Sequence, residues 1–422
     1  MTIESMPTEA ASATSRPACR FCRTPLPEPF VDLGMSPLCE RFLRADQLDE
    51  MEPFYPLRVY VCERCWLVQL SEYVSPDEIF TEYAYFSSYS TSWVEHARRY
   101  AEAMIDRLGL GNEDLVVELG SNDGYLLRHF VDRGVPVLGI DPAANVAEAA
   151  RANGVSTLTR FFGRDVADEL VADGRRASLI AGNNVLAQVP DINDFVAGIA
   201  RLLAPSGLVT IEVPHLLRLL EGRQFDTIYH EHFSYFSLAS SARIFAAHGL
   251  DLVDVDELAT HGGSIRMHFR HTGTASPSDR VTEVLAAEHA AGLERPEPYE
   301  RFAEEIRETK RRILEFLSAE KRAGRSVAGY GAPGKANTFL NYCAIRTDFV
   351  DYTVDRNPYK HGRFTPGTHI PIHPPEHLAE TRPDTIWILP WNLTDEIRTQ
   401  LEYAREWGAR FLVAIPDVRV LD

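Results

Sequence analysis

The chain has 422 residues, of which 45% are apolar, and a formal net charge of −18. Such a length predicts roughly two to four domains, and the apolar fraction is sufficient for sizeable hydrophobic cores. The acidic balance argues against a nucleic-acid partner, and it means that a phosphorylated substrate would need a local basic pocket. No apolar run reaches the length of a bilayer span, so we expect no membrane segment and no membrane partner.

The N-terminal region begins with a polar stretch, residues 1–17, which is rich in Ser, Thr, Ala and Pro. It lacks the basic start and apolar run of a secretory signal, and we expect a disordered leader. Two C-x-x-C pairs follow, Cys19 with Cys22 and Cys62 with Cys65. Four thiolates are the ligand set that structural zinc prefers. A redox motif needs only one pair, so the pattern favours a small ribbon-like zinc module over redox chemistry or coincidence.

Two other cysteines in the chain could modify this interpretation. Cys39 lies between the two pairs and is an alternative metal ligand, whereas Cys343 is isolated and is expected to pack in a core. Reduced thiolates indicate the cytoplasm. We assign the zinc module and its leader to residues 1–75, with short strands at 58–61 and 67–70.

The second region, residues 76–285, alternates strand-like and helical segments, which is typical of a parallel α/β sheet. It opens with an aromatic-rich segment, 80–86, and a helix at 91–108. The strands of this region are expected at 115–119, 137–140, 178–181 and 208–213.

A glycine loop follows the first of these strands, which ends in Glu118. The loop contains Gly120, Asn122 and Gly124, and the next strand ends in Asp141. Doubly wound domains bind ligands at such strand ends, and Asp141 can accept both hydroxyls of a ribose. Asn122 stands where a dinucleotide site would have its middle glycine, so the loop does not match a pyrophosphate cradle. It resembles motif I of S-adenosylmethionine (SAM) methyltransferases and favours SAM over NAD; an ordinary strand–turn–helix is the alternative.

The densest chemical cluster is formed by Tyr229, His230, Glu231 and His232. Histidine titrates near neutrality and a carboxylate can orient it, so the cluster suits proton transfer. Its spacing differs from the H-E-x-x-H zinc motif. On a strand these side chains would alternate between faces, whereas a loop or helix start could bring three of them together. The alternative is a polar loop that caps the next segment. A later turn with His261 is expected as a plain turn or a second pocket wall.

The third region, residues 286–422, begins a new α/β pattern after a charged helix at 298–323. Its strands are expected at 326–329, 349–354, 385–389 and 410–415. A glycine turn with Gly329, Gly331 and Lys335 follows the first strand. This turn nearly matches a P-loop, but Ala336 lacks the hydroxyl that would bind magnesium, which excludes a P-loop NTPase.

The same glycine turn could still bind an anion. A turn at a strand end presents backbone amides, and Lys335 adds a positive charge. Asp355 ends the next strand and Lys360 follows it. The pattern favours a second nucleotide-like pocket for a phosphorylated ligand, and a structural turn with solvated charges is the alternative.

Five segments, in this order, cover nearly the whole chain. They are the double C-x-x-C module, V-V-E-L-G-S-N-D-G-Y-L-L, Y-H-E-H-F-S-Y-F, H-G-G-S-I-R and G-Y-G-A-P-G-K-A-N-T. Together they resemble the sugar C-methyltransferases that build branched deoxysugars for antibiotics. The resemblance implies an α/β fold with a zinc-ribbon-like N-terminal module, a central Rossmann-like SAM domain and a C-terminal Rossmann-like domain. It also implies a dTDP-linked 4-keto-6-deoxy sugar held between the last two domains and methylated beside its ketone, usually at carbon 3 and in some members at carbon 5.

Methylation beside a ketone requires a base for the C–H proton and hydrogen-bond donors for the enolate oxygen. We expect His232 to be the base, oriented by Glu231, with Tyr229 as a donor or alternate base. The resemblance adds Tyr85 as a further active-site tyrosine, although neighbouring tyrosines leave its register open.

The remaining expected site residues divide between the cofactor and the substrate. SAM is expected to contact Glu118, Gly120, Asn122, Gly124, Asp141 and Asn183, with Asn184 beside its methionine end or as a strand cap. The sugar nucleotide is expected to contact Gln188, Gly329, Gly331, Lys335, Asn337, Asp355 and Lys360.

Gln188 departs from the family pattern, which usually has histidine there. Glutamine forms hydrogen bonds but does not titrate, so the methylated position and the stereochemical outcome depend on it. The alternatives are carbon-5, O- or N-methylation, an epimerase, and a catalytically silent sugar-nucleotide-binding protein. The sequence leaves the oligomeric state open, with a monomer among the options.

Overall fold

A computed structural model describes residues 17–80 and 86–421. Its β-strands are β1 Val31–Ser36, β2 Tyr55–Val61, β3 Val68–Leu70, β4 Val116–Leu119, β5 Val137–Ile140, β6 Thr157–Leu158, β7 Ala177–Asn183, β8 Leu203–Pro214, β9 Ser234–Tyr235, β10 Leu250–Leu258, β11 Ser264–His271, β12 Val327–Tyr330, β13 Tyr352–Val354, β14 Ile372–His373, β15 Thr385–Ile388, β16 Arg410–Val413 and β17 Arg419–Leu421. Its α-helices are α1 Pro76–Phe80, α2 Thr91–Leu108, α3 Leu127–Val131, α4 Ala144–Ala152, α5 Arg164–Ala172, α6 Ile192–Leu202, α7 Leu216–Glu221, α8 Leu238–Ala246, α9 Asp279–Ala291, α10 Glu297–Arg322, α11 Gly334–Cys343, α12 His377–Thr381 and α13 Thr394–Gln400.

The N-terminal sheet of the described residues is antiparallel, with the order β1-β2-β3-β9. Its last strand comes from the middle of the chain: Val68 pairs with Tyr235, and Gln69 pairs with Ser234. The sheet therefore crosses the boundary expected at residue 75. Because β9 begins two residues after the segment 229–232, that segment is attached to the N-terminal sheet.

The central sheet has the order β10-β11-β8-β7-β4-β5-β6 in the described chain. The strands from β8 to β6 are parallel, β11 runs antiparallel to them, and β10, which is antiparallel to β11, runs in the same direction as β8. All residues of β4 are buried, as expected for a strand covered on both faces. The strand order reverses between β4 and β7, which is where doubly wound sheets open a ligand crevice.

Helix α2 coincides with the helix expected at 91–108. The Ser90 side chain accepts a hydrogen bond from the Trp93 amide, which satisfies a free donor at the helix start. The helix ends at Leu108 and is capped by Gly109, whose φ of 63° is left-handed and suits glycine. Local capping signals explain why the sequence located both ends.

The C-terminal sheet of the described residues has the order β14-β13-β12-β15-β16-β17, with β17 antiparallel and the other strands parallel. The strand expected at 349–354 is shorter, because the amides of Phe349 and Val350 both donate to the carbonyl of Arg346 in a turn. The chain thus has the expected α/β class, with two Rossmann-like sheets and a small N-terminal module.

The N-terminal module shares hydrophobic cores with both larger sheets. Cys19, Leu26 and Tyr60 pack in one core with residues of the central sheet. Val31 and Val59 belong to a second core that includes the start of the C-terminal sheet. Across residues 17–80 and 86–421, no helix combines the length and apolar character that crossing a bilayer would need.

Candidate active site

A cavity of about 580 Å³ opens at the carboxyl ends of β4, β5 and β7 and extends to the start of α11. Its volume lies within the range of small-molecule sites, roughly 300–1,000 Å³. The expected residues that line it are Gly120, Asn122, Asp141, Asn183, Gln188, Tyr229, Glu231, His232 and Lys335. The cavity therefore joins the two glycine turns and the histidine cluster in one space.

The backbone conformation of the loop after β4 accounts for asparagine at the position where a dinucleotide-binding motif has its middle glycine. Gly120 has a φ of 69°, and a Cβ there would lie 2.9 Å from Cγ2 of Val185. Asn122 has a φ of 48°, a left-handed conformation that asparagine tolerates better than most residues. Its Oδ1 accepts the amide hydrogen of Ser87 at 2.9 Å. Asn122 thus connects the loop to the segment before α2.

Asp141 connects the end of β5 to the same loop. Its Oδ2 accepts the amide hydrogen of Asn122 and its Oδ1 accepts that of Ala143, both at 2.9 Å. Burial raises the pKa of the Asp141 carboxyl. Each carboxylate oxygen keeps a second lone pair, so the side chain can also accept the hydroxyls of a ribose.

The end of β7 forms another part of the cavity wall. Within the described residues, Oδ1 of Asn183 and Oδ1 of Asn184 are buried without a hydrogen-bond partner. Because buried polar atoms are normally satisfied, these oxygens fit a donor such as the ammonium group of SAM. Glu118 and Gly124 lie behind the cavity wall: Glu118 is fully buried, and Gly124 keeps the turn with a φ of 78°.

The segment 229–232 is a loop, in which the His232 amide donates to the Tyr229 carbonyl at 2.9 Å. It directs Tyr229, Glu231 and His232 into the cavity. His230 is not among the lining residues; its Nε2 lies 3.2 Å from the carbonyl oxygen of Pro56. The loop thus brings together three of the four side chains.

His232 is held in a form that can accept a proton. Its Nδ1 lies 3.3 Å from the carbonyl oxygen of Thr227, which makes Nδ1–H the donor and leaves Nε2 as the acceptor. Burial lowers the pKa of His232 to about 4. The ring of Tyr229 packs against the imidazole with centroids 4.2 Å apart. The prediction that Glu231 orients His232 is wrong, because the carbonyl of Thr227 holds the imidazole instead.

Glu231 instead accepts a hydrogen bond from the buried thiol of Cys39, with Sγ 3.3 Å from Oε2. Burial and the nearby carboxylate of Glu40 raise the pKa of Glu231 to about 8. At neutral pH its carboxyl is therefore mainly protonated and can donate a hydrogen bond into the cavity. Cys39 is separate from the other N-terminal cysteines, which removes it as an alternative metal ligand.

Lys335, at the start of α11, contributes to the cavity wall from the C-terminal region. Its Nζ lies 4.5 Å from the ring centroid of Trp391 and donates to Oδ1 of Asn392. Burial lowers the pKa of Lys335 to about 8, and the negative charge of Asp226 opposes that shift. The cavity can therefore present a cation to an anionic substrate.

Five other residues expected to bind substrate do not line the cavity: Gly329, Gly331, Asn337, Asp355 and Lys360. The Asp355 carboxylate accepts the amide hydrogens of Ala332, at 2.7 Å, and Asn357, at 2.8 Å. Lys360 donates to the Ala332 carbonyl at 2.8 Å, and Asn337 donates to the Cys39 carbonyl at 2.6 Å. Their polar groups maintain the turn that carries Lys335.

Several cavity residues were not anticipated from the sequence. The unexpected lining residues include Glu40, Ser87, Trp93, Tyr125, Arg160, Phe161 and Phe162. The adjacent aromatic residues Phe161 and Phe162, a few positions after a strand, were the available signal for a flat apolar ligand such as adenine. His261 forms a second wall, with Nε2 3.2 Å from Nδ2 of Asn184. Tyr85 lies outside the described residues.

The four paired cysteines meet in the N-terminal module. The Sγ atoms of Cys19, Cys22, Cys62 and Cys65 all lie within 4.8 Å of one another. Cys19 and Cys65 are 3.5 Å apart, as are Cys22 and Cys62. A tetrahedral zinc with bonds of about 2.3 Å places its sulfurs about 3.8 Å apart, so the cluster fits zinc with no open position.

Three family models match successive parts of the chain. A zinc binding domain matches residues 19–80, a methyltransferase domain matches 93–255, and a C-methyltransferase C-terminal domain matches 259–416.

Individual proteins agree with these models to different extents. C-methyltransferase NovU of Streptomyces niveus is 38% identical over 405 residues, which cover 96% of this chain and 96% of NovU. Ubiquinone biosynthesis O-methyltransferase of Bartonella bacilliformis is 28% identical over 97 residues, 23% of this chain and 39% of its own. The crystal structure of magnesium protoporphyrin IX methyltransferase from Synechocystis PCC 6803 with bound SAH covers 42% of this chain and 83% of its own, at 14% identity and a TM-score of 0.34, which is too low to inform function.

The relative that matches almost the whole chain, the three successive models and the cysteine cluster agree with one another. They confirm the resemblance drawn from the five sequence segments. This protein belongs to the C-methyltransferase family, as a SAM-dependent enzyme with a structural zinc module.

Proposed function

We propose that the enzyme methylates the carbon beside the ketone of a dTDP-linked 4-keto-6-deoxy sugar in antibiotic sugar biosynthesis, with carbon 3 as the favoured position. The observation that carries the proposal is the imidazole of His232, whose Nδ1 is held by the Thr227 carbonyl, in the same cavity as the residues that fit SAM. A carbon nucleophile, unlike a hydroxyl, must be created by removing a poorly acidic proton, which requires a positioned base.

In the proposed reaction, one side chain of the loop accepts the proton and two others stabilise the negative charge that develops on the ketone oxygen. Nε2 of His232 takes the proton from the carbon, and the electron pair moves toward the ketone oxygen. The hydroxyl of Tyr229 and the protonated carboxyl of Glu231 donate hydrogen bonds to that oxygen, where negative charge develops. Bound SAM supplies an electrophilic methyl group. Tyr85 remains a proposed active-site residue.

The sugar nucleotide is proposed to lie between the central sheet and α11. Gln188 would contact the sugar, and Lys335 would meet the diphosphate, providing local positive charge in a chain of net charge −18. Gly329, Gly331, Asn337, Asp355 and Lys360 would act indirectly through the shape of the turn. In this proposal residues 1–75, 76–285 and 286–422 act as the zinc, SAM and sugar-nucleotide units, and reduced thiolates favour the cytoplasm.

The direct test is incubation of the enzyme with SAM and a dTDP-4-keto-6-deoxy sugar that carries deuterium at carbon 3. The expected product is heavier by one methylene group relative to the unlabelled sugar, has lost the deuterium, and shows its new methyl at carbon 3 by NMR. A methyl at carbon 5, on oxygen or on nitrogen would contradict the favoured position. Deuterium exchange without methylation would identify an epimerase, and absence of SAM binding would identify a silent binding protein.

His232→Asn tests the base. Loss of a general base typically costs a factor of about 10² to 10⁴, so kcat should fall by roughly a hundredfold or more while the Kd for SAM is unchanged. His248→Asn is the matched control, because His248 bonds to Asn193 and does not line the cavity. Undiminished turnover in His232→Asn would remove His232 as the base.

A further inference from the structure

Trp391 lies where three parts of the molecule meet. Its Nε1–H donates to the buried carboxylate of Asp226 at 2.7 Å, three residues before the loop that carries His232. The face of its ring lies under the Lys335 ammonium. A Cβ on Gly262 would come within 2.4 Å of its Cη2, so the ring also packs directly against the turn that carries His261.

The neighbouring contacts restrict the Lys335 ammonium from two sides. Asn392 accepts its hydrogen bond, and the indole face of Trp391 provides a cation–π contact. Asp226, which accepts the Trp391 Nε1–H, supplies a buried negative charge that stabilises the ammonium. A long, flexible lysine side chain that is already held in place loses less conformational freedom when it binds an anion.

We propose that Trp391 is a positioning residue that presents Lys335 to the sugar nucleotide and joins it to the two turns that carry His232 and His261. Preorganised contacts of this kind increase affinity by lowering the cost of ordering the site. The proposal rests on the proposed function in one respect, namely that the substrate contacts Lys335. The contacts of Trp391 with Asp226, Lys335 and Gly262 do not depend on the substrate.

The charges around Lys335 influence the pH at which it loses its proton, and this pH can be measured. Asp226 and His261 are the titratable groups whose charges interact with Lys335, and Glu40 lies beside the adjacent Gly334. Burial raises the pKa of Asp226 to about 6, opposed by the Lys335 charge and the Trp391 hydrogen bond. Without the indole N–H, Asp226 should protonate more readily. The phenyl ring also makes a weaker cation–π contact than the indole with the Lys335 ammonium, so Lys335 should release its proton at lower pH.

Trp391→Phe tests this, because it keeps a ring and removes the N–H. The readout is the pH dependence of Lys335 acetylation by acetic anhydride in the full-length protein, followed by mass spectrometry. We expect a midpoint near 8 in the parent enzyme and a lower midpoint in Trp391→Phe. Trp407→Phe is the matched control, since Trp407 donates to the Pro383 carbonyl at 3.1 Å and does not line the cavity. An unchanged midpoint in folded Trp391→Phe overturns the proposal.

Asp226→Asn provides a second variant should Trp391→Phe fail to fold. It removes the negative charge with little change of volume, and the same downward shift of the Lys335 midpoint is expected. An unchanged midpoint there would equally overturn the proposal.

Steady-state kinetics give the functional readout. In Trp391→Phe the KM for the dTDP-keto sugar should rise roughly threefold, with kcat and the Kd for SAM little changed, because Lys335 remains but its positioning contact is weakened. An unchanged KM contradicts the positioning role. If the parent enzyme does not methylate the sugar, the proposed function fails, whereas the labelling experiment still decides how Lys335 is positioned.

Discussion

The two glycine turns of this protein share the same backbone hydrogen-bond arrangement but differ in their surroundings. In the central sheet, Asp141 accepts one amide hydrogen from the turn after β4 and one from the residue two positions after itself. In the C-terminal sheet, Asp355 accepts one from the turn after β12 and one from the residue two positions after itself. An acid at the end of the second strand thus stabilises the turn after the first strand in both cases.

The difference lies in what occupies the space in front of each turn. The central turn faces the cavity through Gly120, Asn122 and Asp141. At the C-terminal turn, residues 333–335 reach the cavity, whereas Lys360 donates to the Ala332 carbonyl and lies over the ring of Phe42, so the protein's own side chains cover the part of the turn beside Asp355. A glycine turn with a strand-end acid therefore identifies a fold, and only the surrounding side chains decide whether a ligand can enter.

Among the experiments that distinguish the two turns, substitution of the strand-end aspartates should give the largest effect. Asp141→Asn should weaken SAM binding by about 2 to 3 kcal/mol, or roughly a hundredfold, because charged acceptors for the ribose hydroxyls are lost. Asp355→Asn should leave the Kd for SAM unchanged. Isothermal titration calorimetry measures both. SAM affinity at the parent level in Asp141→Asn would mean that the central turn is also merely structural.

The two lysines provide the next comparison. Lys335→Met should raise the KM for the sugar nucleotide by roughly tenfold, because a cation in the cavity wall is removed. Lys360→Met should leave KM unchanged but lower the free energy of unfolding by about 1 to 2 kcal/mol, because its hydrogen bond and ring contact hold the C-terminal turn. Substrate titrations and urea unfolding check the pair. The opposite assignment of effects would place the substrate beside Lys360 rather than beside Lys335.

The pH dependence of the reaction gives the smallest effect. His232, with a pKa lowered to about 4, remains a base throughout the neutral range, so kcat/KM should fall on the acid side only as the pH approaches 4. Glu231 and Lys335, both with a pKa of about 8, lose their protons above neutrality, and near pH 8 kcat/KM should fall about twofold if one of them must be protonated and about fourfold if both must be.

Glu231→Gln distinguishes the two groups on the alkaline side, because glutamine keeps a donor that does not titrate. If Glu231 sets the decline, this variant should stay active at higher pH. A decline that persists unchanged assigns the alkaline limb to Lys335. A rate that falls steeply between pH 6 and 7 would contradict the lowered pKa of His232.

Local features of the fold were predictable because local physics causes them. Helix α2 coincides with its expected range since Ser90 and Gly109 cap it. The central strands follow from apolar runs between helical segments, and the zinc cluster follows from the ligand preference of the metal. By contrast, the pairing of β9 with β3 joins residues far apart in the chain, and no local signal in either short strand indicates its partner.

The sequence by itself determined the α/β class, the cysteine cluster, the glycine loop with Asp141 and the identity of the histidine loop, because each depends on residue types at short spacing. Only the tertiary structure decided that Cys39 bonds to Glu231 and that Lys335 reaches the cavity while Lys360 does not. These contacts depend on how three sheets pack against one another. Packing combines many weak contacts between residues that are distant in the sequence, and no short segment specifies the partners.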